Sequence, residues 1–484
     1  MLIAVGDVDF SMLNMRARLP FRYGIAELTV LPHLFVQLRL EVDGCSSLGI
    51  AAEGLPPKWF TKDPDTSFEQ DLADMLLVIR QAAVHAQTAG SAESVFDLWL
   101  ALYQRQEVWG KKMGFPPLLW GLGVSVVERA VIDALCRQQR QAFAQMLRSQ
   151  GFGIRLGAIH PDLASFHPAD LLARRPLQVV TVRHTVGLSD PLTKGDLDGS
   201  LPDDGLPGTL EEAVRTYGLQ HFKIKLSGDH LRDRERLRAL AILLPQWSEH
   251  CRFSLDGNEQ YPSWEAFRSF WEQCQGDPHI ASFLQRLLFV EQPLARTEAL
   301  TSTTAAALHA WQQAPPIILD ESDAELHSAT QALALGYAGV SHKNCKGVIR
   351  GIANACLIAW HRQQHPDRRF VLTGEDLANV GPIALLQDLA VMASLGIRSI
   401  ERNGHHYFRG LAVLPEDFQE RMLLEHPDLY IRHERGFATL HIQDGLLRLD
   451  SVCDAPFGCA PLFPVERFTP LAAWRYASLA TAMS

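Results

Sequence analysis

Lysines and carboxylates recur in this sequence at one kind of position, the end of a short run of β-branched or aliphatic residues. Lys223-Ile224-Lys225 lies late in the run 221–226, Asp256-Gly257-Asn258 ends 251–256, and Glu291 ends 287–291. Asp320-Glu321 ends 316–320, and His342-Lys343 ends 337–342. Alternate residues of a strand share a face, so Lys223 and Lys225 point the same way, as Ile318 and Asp320 do. Singly these are weak signals. A Lys-x-Lys is ordinarily two solvated lysines, and a strand-end acid is ordinarily a turn residue or helix cap. The combination is more specific: carboxylates on three successive strand ends, with lysines on either side. Such a set, with no His or Cys partner, suits a hard divalent cation, Mg²⁺ or Mn²⁺ rather than Zn²⁺. Without a cation the carboxylates would repel one another and one would tend to protonate.

The elements that must position these residues are legible as a rhythm. From about residue 177, strand-like runs at 179–186, 221–226, 251–256, 287–291, 316–320, 337–342, 370–373 and 398–401 alternate with seven helical segments, such as 230–244 and 348–362. Eight strands and seven helices predict a closed parallel barrel with helices outside. An open doubly wound sheet is the structural alternative, but no glycine-rich phosphate loop supports it. Residues 1–150 read as α+β. Strands are expected over 25–30 and 35–42, interrupted at Leu31-Pro32-His33, with a turn at Asp43-Gly44. Helices are expected over 67–89, 93–109 and 125–148. The stretch 187–208, GLSDPLTKGDLDGSLPDDGLPG, is a turn-rich insertion or a lid, since it follows the first barrel strand.

Composition narrows the partners. The chain has 484 residues, 45 Lys+Arg against 55 Asp+Glu, and a net charge of −10, with no basic patch to hold nucleic acid. At 47% hydrophobic and 21% charged it is well cored rather than disordered. Acids at Asp7 and Asp9 break the apolar start, which argues against a secretory leader, and no run reaches the roughly 18 apolar residues of a membrane span. Eight scattered cysteines without a CxxC spacing fit reduced thiols, so the expected location is cytoplasmic.

At this point the sequence resembles the enolase superfamily, mandelate racemase/muconate lactonizing enzyme-like and closest to the muconate lactonizing branch. The resembling stretches are HFKIKL (221–226), FSLDGNEQY (253–261), FVEQPL (289–294), ILDESD (318–323) and VSHKNCKGV (340–348). LRLEVDGCSSLGIAAEGLPP (38–57) resembles the family's N-terminal cap, ERAVIDAL (128–135) its helix leading to the barrel, and HIQDGLLRLD (441–450) its strand returning to the cap. The resemblance implies a modified (β/α)7β TIM-like barrel over 177–409. It also implies an α+β capping domain over 1–150, completed by about 410–484. It implies Asp256, Glu291 and Asp320 as ligands of Mg²⁺ (Mn²⁺ as a substitute), with Glu321 the other candidate on the fifth strand. Lys225 and Lys343 become the acid/base pair, and Lys223 their helper.

The implied chemistry is an isomerase or lyase reaction on a small carboxylate. An α-proton is removed through a metal-stabilised enediolate, giving racemisation, epimerisation or cycloisomerisation. An acid-sugar dehydratase and a non-catalytic metal-binding barrel are the alternatives. The dehydratase is disfavoured because the seventh strand ends in Thr373-Gly374-Glu375-Asp376 without a His. Substrate contacts are expected from Arg22 and Tyr23, in a stretch resembling the cap loop that closes over the pocket. Asn258, Glu375 and His405 are further candidates, His184 is ambiguous, and Trp59 is a weaker one. Residues 279–285 and 151–177 read as departures from the family pattern. The family resemblance also suggests a homo-oligomer.

Overall fold

In the computed structural model, residues 1–482 are described apart from 198 and 200, so part of the 187–208 stretch lies outside the described residues. The N-terminal body is an antiparallel sheet of β1 (Ile3–Tyr23), β2 (Ala26–Val42) and β3 (Cys45–Gly54), with Thr469–Pro470 added beside β1. Asp43 and Gly44, both at positive φ, form the expected two-residue turn between β2 and β3. Helices α1 (Phe68–Gln87), α2 (Val95–Met113) and α3 (Pro117–Gln139) accompany this sheet. Ser67 caps α1 by accepting from the Gln70 N–H, while the Gln70 side chain bonds back to the Ser67 backbone.

Three expectations for this region are corrected. The two strands foreseen at 25–30 and 35–42 are one, because Pro32 sits beyond the end of β3, where its missing N–H leaves no ladder bond unmade. The third helix begins earlier, at Pro117, and stops at Arg140, whose left-handed backbone ends it before a short helix Phe143–Arg148. Residues 446–448 pair with the first barrel strand rather than the cap, and the return to the cap is made by Thr469–Pro470 against Ser11 and Met12.

The second body is a closed barrel of eight parallel strands: β4 (Val179–Val186), β5 (His221–Lys225), β6 (Arg252–Asp256), β7 (Leu287–Glu291), β8 (Ile317–Leu319), β9 (Gly339–His342), β10 (Val371–Gly374) and β11 (Ser399–Arg402). Pairing of β11 with β4, Ser399 opposite Thr181 through Arg402 opposite His184, closes the ring. Each of the seven crossovers carries helix, and the β11–β4 pairing rules out the open sheet. The 279–285 stretch is an extra short helix, Pro278–Leu284, in the crossover from β6 to β7. No helix of the described residues is long and apolar enough to cross a membrane.

The cap is fastened to the barrel by buried polar contacts. Arg129 of α3 pairs with Glu53 of β3 at 3.0 Å, and Asn379, beyond β10, donates to Glu53 at 3.2 Å and to Asp388 at 2.9 Å. The Ser125 hydroxyl donates to the Asn344 carbonyl at 2.9 Å, and Gln387 donates to the Ile50 carbonyl at 2.7 Å. Glu128 accepts the N–H of Val348, the first residue of the helix Val348–Gln364.

Burial pushes the Glu128 carboxyl up to about 8, and the N–H groups of Val348 and Ile349 offset only part of that. The folded state therefore keeps a proton that the unfolded chain sheds near its ordinary value of 4.5, and the contribution of Glu128 to stability falls as pH rises from there through about 8. Glu128→Gln keeps an acceptor for Val348 and removes this titration. The change in urea midpoint from about pH 5 to about pH 8 should be more positive in the variant than in the native chain, because the loss due to Glu128 is gone.

Candidate active site

The reactive side chains converge at the C-terminal ends of the barrel strands, as strand register dictates. Lys225, Asp256 and Glu291 are register partners at the last positions of β5, β6 and β7. Asp320, Lys343 and Glu375 each follow the final residue of β8, β9 and β10, and Glu401 lies within β11. All are buried, Glu291 and Glu375 completely.

Lys223 is the hub. Its Nζ lies 3.0 Å from Asp256, 2.9 Å from Glu291, 2.6 Å from Glu375 and 3.0 Å from Glu401. Lys225 donates to Asp256 Oδ2 at 2.6 Å. Across the barrel, Lys343 donates to Asp320 and, at 2.8 Å, to Glu375. Lys346 adds a contact of 2.9 Å to Asp320, and Arg183 holds the other Glu375 oxygen at 2.8 Å. Burial acts to lower the pKa of Lys223 and Lys343, but the carboxylates around them outweigh it and hold both well above the ordinary lysine value. Glu291 goes the other way: burial, then repulsion by Asp256 and Glu375, pushes its carboxyl well above the usual range. Both Glu291 oxygens are buried without a hydrogen bond of good geometry.

Glu291 is thus a buried carboxylate beside other carboxylates, with Lys223 its near cation. Ligand oxygens of Glu291, Asp320 and Glu375 all lie within 4.8 Å of one another, and an all-oxygen donor set fits Mg²⁺. Glu291 and Asp320 therefore belong both to this group and to the set expected from sequence. Asp256 is turned toward Lys225 and Lys223. Glu321 is drawn away from the centre by Lys62, whose Nζ lies 3.1 Å from it and 2.6 Å from Glu259.

Above the lysines opens a narrow cleft. The turn between β1 and β2 brings Phe21, Tyr23 and Leu28 to it, and the loop after β3 brings Pro56 and Trp59. Lys343 Nζ lies 5.1 Å from the centre of the Trp59 ring. Arg296 fixes that loop to the barrel by donating to the Trp59 and Phe60 carbonyls at 3.2 and 3.0 Å while pairing with Glu259 at 2.8 Å.

Of the substrate contacts expected from sequence, Tyr23 and Asn258 reach the cleft, and Glu375 lies beneath it between the two lysines. Arg22 is not brought there. Its strand position points it outward, where it pairs with Glu27 at 2.9 Å. His405 lies behind the wall, 3.1 Å from His184 in a buried histidine group with His406. Several contacts tie down the 187–208 stretch: Asp204 accepts from Arg18 at 2.6 Å, Asp190 accepts from the Tyr407 hydroxyl at 2.5 Å, and Arg236 donates to the Gly187 and Asp190 carbonyls at 2.8 Å. Sequence reasoning missed Arg183, Lys346 and Glu401. Glu401 was findable, since it ends a foreseen strand just as Asp256 and Glu291 do; Arg183 lies mid-strand and gives no such signal.

No protein-family model matches the sequence, and no curated protein matches it. Solved structures do match in fold. A mandelate racemase/muconate lactonizing protein from Herpetosiphon aurantiacus aligns over 93% of this chain and 97% of its own, at 17% identity and a TM-score of 0.57. An enolase from Bradyrhizobium, complexed with magnesium and mandelic acid, aligns over 93% and 94% at 13% identity and a TM-score of 0.56. An N-succinyl Arg/Lys racemase from Bacillus cereus aligns over 93% and 97% at 14% identity and a TM-score of 0.55. The chain thus has the capped-barrel fold of the mandelate racemase/muconate lactonizing enzyme-like proteins of the enolase superfamily.

Proposed function

We propose that this chain is a Mg²⁺-dependent enzyme that removes the α-proton of a small carboxylate and gives racemisation, epimerisation or cycloisomerisation. The observation that carries the reading is the pair Lys225 and Lys343 on β5 and after β9, on opposite sides of the barrel, with carboxylates between them. Lys225, in its neutral form, accepts the proton from the substrate Cα, and the C–H electron pair moves into the carboxylate as an enediolate. Lys343, held cationic by Asp320 and Glu375, faces the opposite side of that plane and can return a proton there. Lys223 keeps the carboxylates from repelling one another and adds positive charge beside Lys225. A bound Mg²⁺ would supply Lewis-acid stabilisation of the charge that develops on the substrate carboxylate.

Asp256, Glu291 and Asp320 are assigned as its ligands. They sit at the ends of three successive strands, β6, β7 and β8, whereas Glu375 follows β10 and has three cationic partners, Arg183, Lys223 and Lys343, to the two each of Asp256 and Asp320. Calorimetry with Mg²⁺ tests this. Asp256→Asn and Glu291→Gln should each weaken binding by about tenfold or more, and Glu375→Gln should weaken it less. The reverse order would place Glu375 in the metal shell instead of Asp256.

The reaction is tested by incubating the chain with Mg²⁺ and small carboxylates in D2O and following loss of the α-proton signal by NMR. Lys225→Ala should lower α-deuterium incorporation by about 100-fold or more. Exchange retained at the native rate would remove Lys225 as the base, and Mg²⁺ binding without exchange on any acid would favour the non-catalytic barrel.

A further inference from the structure

The cleft wall carries information on the substrate beyond its reacting carboxylate. Facing the lysines are Phe21, Tyr23, Leu28, Trp59, Leu377 and Ala378, all buried. The one hydroxyl among them is spent, since Tyr23 donates to the Pro57 carbonyl at 2.8 Å.

Among the described residues, every charged group bordering the cleft either belongs to the lysine–carboxylate centre that takes the reacting carboxylate or is paired with an opposite charge. Lys225 is on Asp256, Lys343 on Asp320 and Glu375, and Lys223 on four carboxylates including Glu401. Asp376 is held by Arg402 at 2.8 Å and also accepts the N–H groups of Ala378 and Asn379. Arg22, the one cation the cap turn could have offered, is on the outer surface with Glu27. The unengaged buried polar atoms on the wall, among the described residues, are the side-chain oxygens of Asn258 and Asn403. They are neutral acceptors, suited to a hydroxyl or an amide N–H. A second ionised group on a ligand would lose its water and meet no counter-charge.

We infer that the substrate is a monocarboxylate whose remaining body is uncharged and mainly apolar, seated against Trp59 and the aromatic turn of the cap. This rests on the proton-abstraction reading and names its substrate class. It separates this chain from barrels that act on dicarboxylates or on ligands with a charged side chain, because those need a counter-ion that the wall lacks.

The test uses a matched set of chiral 2-substituted acids: one with an apolar side chain, one with a terminal carboxylate in place of its methyl, and one with a terminal ammonium. Exchange in D2O with Mg²⁺ is followed for each. Binding of each to the Lys225→Ala variant with Mg²⁺ is measured by calorimetry, so that affinity is read without turnover. The apolar acid should exchange with a kcat/KM at least about 100-fold above either charged analogue, and should bind the variant more tightly in the same order. Leu377→Arg and, as a second placement, Tyr23→Arg should narrow the gap to the dicarboxylate in whichever variant folds, as judged by its unfolding transition.

Equal or faster exchange of a charged analogue overturns the inference and leaves the reaction standing. Preferential binding of the apolar acid without exchange overturns the reaction and upholds the inference. Absence of both exchange and selective binding overturns both.

Discussion

Mutual neutralisation of buried charge is the constraint on which this molecule depends. Five cations, Arg183, Lys223, Lys225, Lys343 and Lys346, share the mouth of the barrel with five carboxylates, Asp256, Glu291, Asp320, Glu375 and Glu401, all buried. Removing any one of these charges from water costs several kcal/mol unless an opposite charge and hydrogen bonds replace the lost hydration. Each group is tolerable only because the others are in place, so the strands that carry them must close at one register. Barrel closure through β4 and β11 is therefore as much a part of the site as any lysine. Within the balance Glu291 is the least satisfied carboxylate, because neither of its oxygens has a hydrogen bond and its acidic neighbours repel its charge.

Around this centre lies a second balanced group that connects the cap to the chemistry. Lys62 and Arg296 face Glu259 and Glu321, and Arg296 also holds the backbone of Trp59 and Phe60. The loop bearing Trp59 is thus fastened to the barrel by charges adjacent to Asp256 and Asp320, and the aromatic wall is placed by the same elements that place the carboxylates. On the other flank, Arg18 of β1 on Asp204 holds the stretch after β4 against the cap hairpin, and Tyr407, beyond β11, holds it at Asp190.

Much of this was legible in the chain. The eight barrel strands lie within a few residues of where their aliphatic runs put them, because a buried parallel strand announces itself by local composition. The strand-end rule located Lys225, Asp256, Glu291, Asp320 and Lys343, and the same rule would have located Glu401. The cap was less readable. β1 mixes polar and apolar residues over twenty-one positions, and β2 runs through Pro32 only because β3 stops short of it. Arg140 ends α3 by adopting a left-handed backbone, a choice that a residue with ordinary helix propensity does not advertise.

By itself the sequence determined the order of chemical groups and the architecture that presents them. Both are written in short windows: a period of two along a strand, a helical period between strands, and an acid or lysine where each strand stops. Tertiary structure decided which groups meet. Lys223 and Glu375 are 152 positions apart, and Lys62 and Glu321 are 259 apart. No local pattern could show that Glu375 would lie between the two lysines, that Glu321 would be neutralised by a cap lysine, or that Arg22 would face outward while Tyr23 faced in. Those outcomes follow from strand register and from how the cap sits on the barrel, and register pairs residues by position in space rather than by anything in their own neighbourhoods.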